Sequence, residues 1–236
     1  MSNYRTHAIA GIVMALPFVP DIFYLFFALI GASICDLDHD NNRHKVNSMM
    51  ITGVVLSVIL FFFNSSSISA LILVILSMIF YISKHRGFTH TLLGIILLPA
   101  LFLFMIMGFI SFFNRIFLIL NIPIPHMLVL FVTMAIAGFF VISRKYYILY
   151  FIVLGLYLYV IPLDYSTINW TMALVMLFVG AMSHIILDLL TPAGLNLFEP
   201  FSSVECHKKW ALSFVVIWII MALFVSLHHG LFFTHP

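Results

Sequence analysis

The stretch HRGFTHTLLGIILLPALFLFMIMGFISFF, residues 85–113, joins a polar motif directly to a long apolar run. Two histidines and an arginine stand around Gly87, and from Phe88 onward the sequence reads as a membrane-spanning helix. A helix needs about 20 apolar residues, within a range of roughly 17–25, to cross the hydrocarbon core. Working outward, segments 46–63, 67–83, 87–113, 126–142, 146–163, 168–190 and 211–227 all meet that length. The composition agrees. Of 236 residues, 64% are hydrophobic and only 8% charged, against about 25% charged in soluble domains. With a mean hydropathy of +1.21, the fold class is all-α: a polytopic membrane helix bundle of about seven spans plus a broken or re-entrant N-terminal helix. With no internal repeat, linker or low-complexity run, residues 1–236 read as a single integral membrane domain.

Residues 7–34 form the exception among the apolar segments. Pro17 and Pro20 interrupt them beside Asp21, and proline removes a backbone donor and clashes with the preceding turn. Non-helical backbone at membrane depth is tolerated where protein or water covers it. The segment is therefore one kinked span or a re-entrant hairpin. Residues 117–125 are apolar but short and proline-bounded, which suits an interfacial piece. The N-terminal MSNYRTHAIAG has no charged region, short apolar core and cleavage site in succession, so no removable signal peptide is expected.

Charge sets the sidedness. Counting alternate connections from residue 35 onward puts Arg43, Lys45, Lys84, Arg86, Arg144, Lys145, Lys208 and Lys209 on one side and Arg115 on the other. Basic residues favour the cytoplasmic side. The stretches within 7–45, 84–94 and 183–209 are then expected to converge on the cytoplasmic face of the plasma membrane. The turn 64–67, the Asp164 loop and the C-terminus, with His228, His229 and His235, fall outside. A net charge of +2 is too small to suggest a nucleic-acid partner. Two cysteines, Cys35 and Cys206, make no disulfide framework.

Three stretches carry the chemistry. In SHIILDLLTPAG (183–194), His184 and Asp188 are four apart on a helix and project from one face. Such a pair can present a nitrogen and an oxygen to one ion, and ionisable residues inside a span point to a functional site. The plainer reading is a hydrogen bond that locks two helices. In CDLDHD (35–40), Asp36 and Asp38 share a face if the chain is extended, which suits carboxylates reaching one cation. A solvated acidic loop offsetting Arg43 and Lys45 is the alternative. In HRGFTH, His85 and His90 share a face only if the chain bends between them. Arg86 can hold a phosphate or carboxylate through its planar fork, or serve as an interface anchor. Thr89 either caps the helix or orients a ligand. Cys35 and Cys206 could supply thiolates but suit small apolar positions better. His44, His126 and His207 carry weaker signals.

HRGFTH, SHIILDLLTPAG and DLDH together resemble the signature blocks of the YdjM-like family, whose members are regarded as membrane-bound metal-dependent hydrolases. The resemblance covers residues 7 to about 200. It implies a site of His7, Asp36, Asp38, His39, His85, His90, His184 and Asp188. It also implies a distant similarity to zinc-dependent phospholipase C and P1-type nucleases, which hold several zinc ions. This chain has no second His-x-x-x-Glu element, so one or two divalent ions are expected, zinc first and manganese second. If His7 is a partner of the other ligands, residues 7–17 rise only about 16 Å as helix, half the hydrocarbon thickness. The segment is then a re-entrant hairpin turning at 17–21.

These readings give a leading function and two rivals. The first is hydrolysis of a phosphoester or lipid-linked substrate at the membrane surface. His7, His85, His90, His184, Asp36, Asp38 and Asp188 would be metal ligands, Arg86 the anion anchor, and His39 or Asp38 the general base. A metal-ion transporter or sensor would place ligands near the bilayer midplane, commonly within repeats. Spans 46–63, 67–83, 126–142 and 146–163 hold no ionisable group except His126, and only Asp21 with the broken first helix favours transport. A non-catalytic scaffold is the third class. Membrane lipids are the expected partners; the oligomeric state is left open.

Overall fold

A computed structural model describes residues 4–62 and 68–227. Among them the ordered elements are helical: α1 (Tyr4–Ala15), α2 (Tyr24–Ile34), α3 (Arg43–Phe62), α4 (Ile68–Ile82), α5 (Leu92–Ile119), α6 (His126–Val141), α7 (Tyr147–Val160), α8 (Trp170–Leu189) and α9 (Lys208–Leu227). Asp40–Phe61, Leu92–Ile119, Trp170–Leu189 and Lys208–Leu227 are long and apolar enough to cross a membrane. The apolar helices α4, α6 and α7 have 15, 16 and 14 residues, so the expected count of seven is approximate. The all-α expectation holds. The loop segment 64–67 and the C-terminal histidines lie outside the described residues.

The chain divides into two compact units. The first comprises residues 1–35, 85–96 and 171–236; the second comprises 36–84 and 97–170.

The first unit is built on a hairpin of α1 and α2. Pro17 falls in a 3-10 turn, Leu16–Phe18, that ends α1. Asp21 Oδ1 accepts the Phe23 backbone N–H at 2.7 Å, closing the turn into α2. The indole Nε1 of Trp218 donates to the Met14 carbonyl at 2.9 Å, just before the break. Tyr4 meets Ser33 at 3.4 Å, and Gly11 abuts Ala28 and Ala32. The two helices are therefore antiparallel, as a re-entrant hairpin requires.

Helix α8 packs on this hairpin through small residues. A Cβ on Gly31 would fall on the Leu177 carbonyl, and one on Gly180 would fall on the Ala28 carbonyl. Lipid tails are as apolar as side chains, so close backbone approach through Gly and Ala supplies helix association in membranes. Below α8, the connection to α9 folds back. Leu195 and Cys206 form an antiparallel bridge, and Leu92 N–H donates to the Leu197 carbonyl at 2.9 Å. Cys35, Ile95, Ile185, Leu189, Leu197 and Cys206 share one buried cluster. Burial pushes the Cys206 thiol up, which favours the small apolar role over a thiolate ligand.

In the second unit, α3 packs on α4 and α6 on α7. Lys45 is buried, and its Nζ donates to the Val141 and Ile142 carbonyls at 3.1 and 2.7 Å. Arg43 donates to the Tyr81 carbonyl at 2.9 Å and lies over the Tyr81 ring. These two cations close the C-terminal ends of α6 and α4, where unpaired carbonyls and the helix dipole favour positive charge. Arg43 Nε also pairs with Asp40 Oδ1 at 3.4 Å, so the acidic loop offsets that cation in part.

Two boundaries differ from the sequence expectation. Helix α5 starts at Leu92 rather than at 87–88, because Thr91 Oγ1 accepts the Gly94 N–H at 3.0 Å and caps it there. At its other end α5 runs on to Ile119, absorbing the first part of the expected interfacial piece 117–125.

Candidate metal centre

Asp188 is the hub of the first unit's polar residues. Helix α8 carries it one turn after His184, and both are buried. The helix stops immediately beyond, where the Thr191 hydroxyl donates to the Asp188 carbonyl at 2.6 Å. Gly194 follows with φ +61, its Cα face against the His207 ring, so a side chain is excluded on both counts.

Three imidazoles and a guanidinium surround the Asp188 carboxylate. Oδ1 faces His7 Nε2 and Arg86 Nη2, each at 3.7 Å. Oδ2 faces His90 Nε2 at 3.5 Å and His184 Nε2 at 3.7 Å. His7 stacks on His184 with centroids 3.8 Å apart and 14° between planes. His90 stands edge-on to His184 at 5.2 Å.

Local structure explains how HRGFTH reaches this point. The chain turns at His85–Arg86, and Arg86 takes φ +65, a left-handed conformation uncommon outside glycine. A 3-10 turn, Phe88–His90, follows, with His90 N–H donating to the Gly87 carbonyl at 2.9 Å. That bend supplies the shared face that the five-residue spacing lacked. His85 is exposed, and its ring lies 5.4 Å from that of His90. Thr89 does not cap the helix. It is buried, with Oγ1 2.9 Å from His90 Nδ1, and so orients that ring.

The donor set fits a divalent cation. His184 Nδ1 lies 2.7 Å from the Ala32 carbonyl, which can only accept, so Nδ1 carries the proton. The Nε2 of a neutral His184 is then a lone pair facing a carboxylate oxygen. A divalent cation between them would satisfy both. Two ligands of a tetrahedral ion at about 2.0–2.2 Å lie about 3.3–3.6 Å apart. The observed 3.5–3.7 Å separations are near that spacing and long for hydrogen bonds. Close parallel stacking of His7 on His184 also suits neutral rings, since two imidazolium ions would repel. His90, His184 and Asp188 by themselves form a group of buried side chains that could hold a metal ion.

The chain matches the family model described as YdjM inner membrane protein over residues 1–235. It belongs to that family. The family description and the apolar helices together place this YdjM-family chain in a membrane. No match to a curated protein or to a solved structure was found.

Of the residues expected at the site, His7, His85, Arg86, His90, His184 and Asp188 lie in the first unit. Asp36, Asp38 and His39 lie in the second. The CDLD segment is a 3-10 helix, Cys35–Asp38, rather than extended. At three residues per turn, Asp36 and Asp38 do not project from one face. Asp38 is buried and Asp36 half-buried. His39 Nδ1 accepts the Asn41 N–H at 3.2 Å and caps the next turn. The expected ligand role of Asp38, and the base role of Asp38 or His39, rest on the sequence alone. Sequence reasoning missed the Ala32 carbonyl, which sets the His184 tautomer. Its only trace was the small-residue run GAS (31–33).

Proposed function

We propose that this protein is a membrane-embedded, metal-dependent hydrolase acting on a phosphoester or lipid-linked substrate. The supporting observation is the buried His184 Nε2 facing Asp188 while Nδ1 meets the Ala32 carbonyl, with the Nε2 atoms of His7 and His90 beside the same carboxylate. These four residues would hold the ion, with zinc preferred for its affinity for imidazole and tetrahedral geometry. A divalent cation in such a site polarises a phosphoryl oxygen and lowers the pKa of water towards about 7. Arg86, at the edge of the cluster, would receive the anionic group of the substrate. Thr89 and the Ala32 carbonyl would fix the two imidazoles that they contact.

The transport reading loses support, because Asp21 is engaged in closing the α1–α2 turn. The site is proposed to face the cytoplasm, with the C-terminus outside. In intact cells an Asn3→Cys label that reacts only from outside would reverse that orientation. Metal analysis of purified protein, with and without His184→Ala, tests the central claim. Stoichiometric zinc or manganese that disappears in the variant supports it, and hydrolysis of a phosphoester panel by the loaded protein extends it. Metal retained by His184→Ala would instead favour a scaffold with metal held elsewhere.

A further inference from the structure

Arg86 differs from the other groups around Asp188. The side chains of His7, His90 and His184 are 4%, 0% and 0% exposed, whereas that of Arg86 is 20% exposed. Its Nη2 stands 3.7 Å from Asp188 Oδ1, longer than the roughly 2.7–2.9 Å of a charge-assisted hydrogen bond. The guanidinium therefore balances the carboxylate without clamping it. The left-handed backbone at Arg86, φ +65, aims the side chain inward from a turn at the open edge of the cluster. A cation held by the imidazoles and Asp188 would take over that balancing role and repel the guanidinium. Arginine cannot relieve the repulsion by losing a proton. It can only turn to another anion.

We propose that Arg86 is an exchangeable counter-charge. It neutralises Asp188 while the site is empty of metal, and it passes to an anionic oxygen of the incoming ligand once a divalent cation is bound. Metal loading and anion binding are thereby coupled, with Arg86 the group that couples them. This inference rests on the metal-dependent reading above and adds to it an order of events. Because coupling between two ligands is reciprocal, phosphate must also tighten the binding of the cation.

The test uses the full chain in detergent micelles, titrated calorimetrically with Zn2+ and with inorganic phosphate. Arg86→Gln should bind Zn2+ about tenfold more tightly than wild type. That is the scale Coulomb's law gives for a double and a single charge some 6 Å apart under water-like screening. Arg86→Lys, which keeps the charge, should stay near wild-type Zn2+ affinity. Phosphate should bind wild type only when Zn2+ is present, and should not bind Zn2+-loaded Arg86→Gln. A merely structural arginine would weaken Zn2+ binding on removal, the opposite sign. The coupling is overturned if Arg86→Gln gains no Zn2+ affinity, or if phosphate binds wild type equally with and without Zn2+. The phosphate arm needs only wild type, so its failure overturns the coupling even if a variant misfolds. Wild type that binds Zn2+ without this coupling refutes the present inference alone; wild type that binds no Zn2+ refutes the parent reading as well.

Discussion

Removing the His184 imidazole separates a metal centre from a structural polar cluster. The ring is fully buried, stacks on His7 at 3.8 Å and donates to the Ala32 carbonyl at 2.7 Å. His184→Ala therefore destabilises the fold on either reading, by about 2–5 kcal/mol on the scale of large-to-small substitutions in packed interiors. Absolute stability is for that reason the wrong observable. The shift on adding cation is the right one. A ligand present at a hundred times its Kd stabilises the folded state by about 2.7 kcal/mol. For chains of about 150–250 residues each kcal/mol moves Tm by about 2–4 °C, so Zn2+ should raise the wild-type Tm by about 5–10 °C. In His184→Ala one of four ligands is gone, and the same Zn2+ concentration should shift Tm by no more than about 2 °C. Thermal unfolding followed by tryptophan fluorescence, with chelator and with Zn2+, reads both shifts. A wild-type Tm indifferent to Zn2+, or equal shifts in the two proteins, would refute the argument from the His184 tautomer.

Other consequences reach further from the ion. Thr89→Val nearly preserves shape but removes the oxygen 2.9 Å from His90 Nδ1; Zn2+ affinity should fall about 10–100-fold, as for other groups that orient a ligand, in the same titration. Gly180→Ala would drive a methyl into the Ala28 carbonyl, and overpacking of this kind costs about 1–3 kcal/mol. A lower midpoint of denaturation and a reduced monodisperse yield should report it. Away from the site, Asp164 is held below the ordinary carboxylate value of 3.8, chiefly by the Ser166 backbone N–H and also by His126. Its pKa is depressed in the folded state, so its stabilisation is complete above 3.8 and is lost as pH falls through the lower folded value. The stability gap between wild type and Asp164→Asn should then shrink as pH falls below about 4, as measured by denaturant titration across pH.

The sequence by itself determined the membrane character, the all-helical class and the break at Pro17 and Pro20. These follow from composition, run length and backbone chemistry, all of which are local. It also determined that His184 and Asp188 share a face, since their spacing of four matches the helical repeat. The chain bend at Arg86 was recognisable only as a requirement, because nothing in HRGFTH obliges a non-glycine residue to take a positive φ. Tertiary structure decided the remainder. His7 and His184 come from opposite ends of the chain, and no periodicity links them. Helices that are apolar on every side have no hydrophobic face to mark which surface meets which neighbour. The close approach of α1, α2 and α8 is set instead by Gly11, Gly31, Gly180 and their Ala neighbours. That packing alone brings the Ala32 carbonyl to His184 Nδ1 and turns a pair of residues on one helix face into a site with a defined tautomer. Lys45 makes the same point from the second unit: its charge was legible, but its burial against the end of α6 was not.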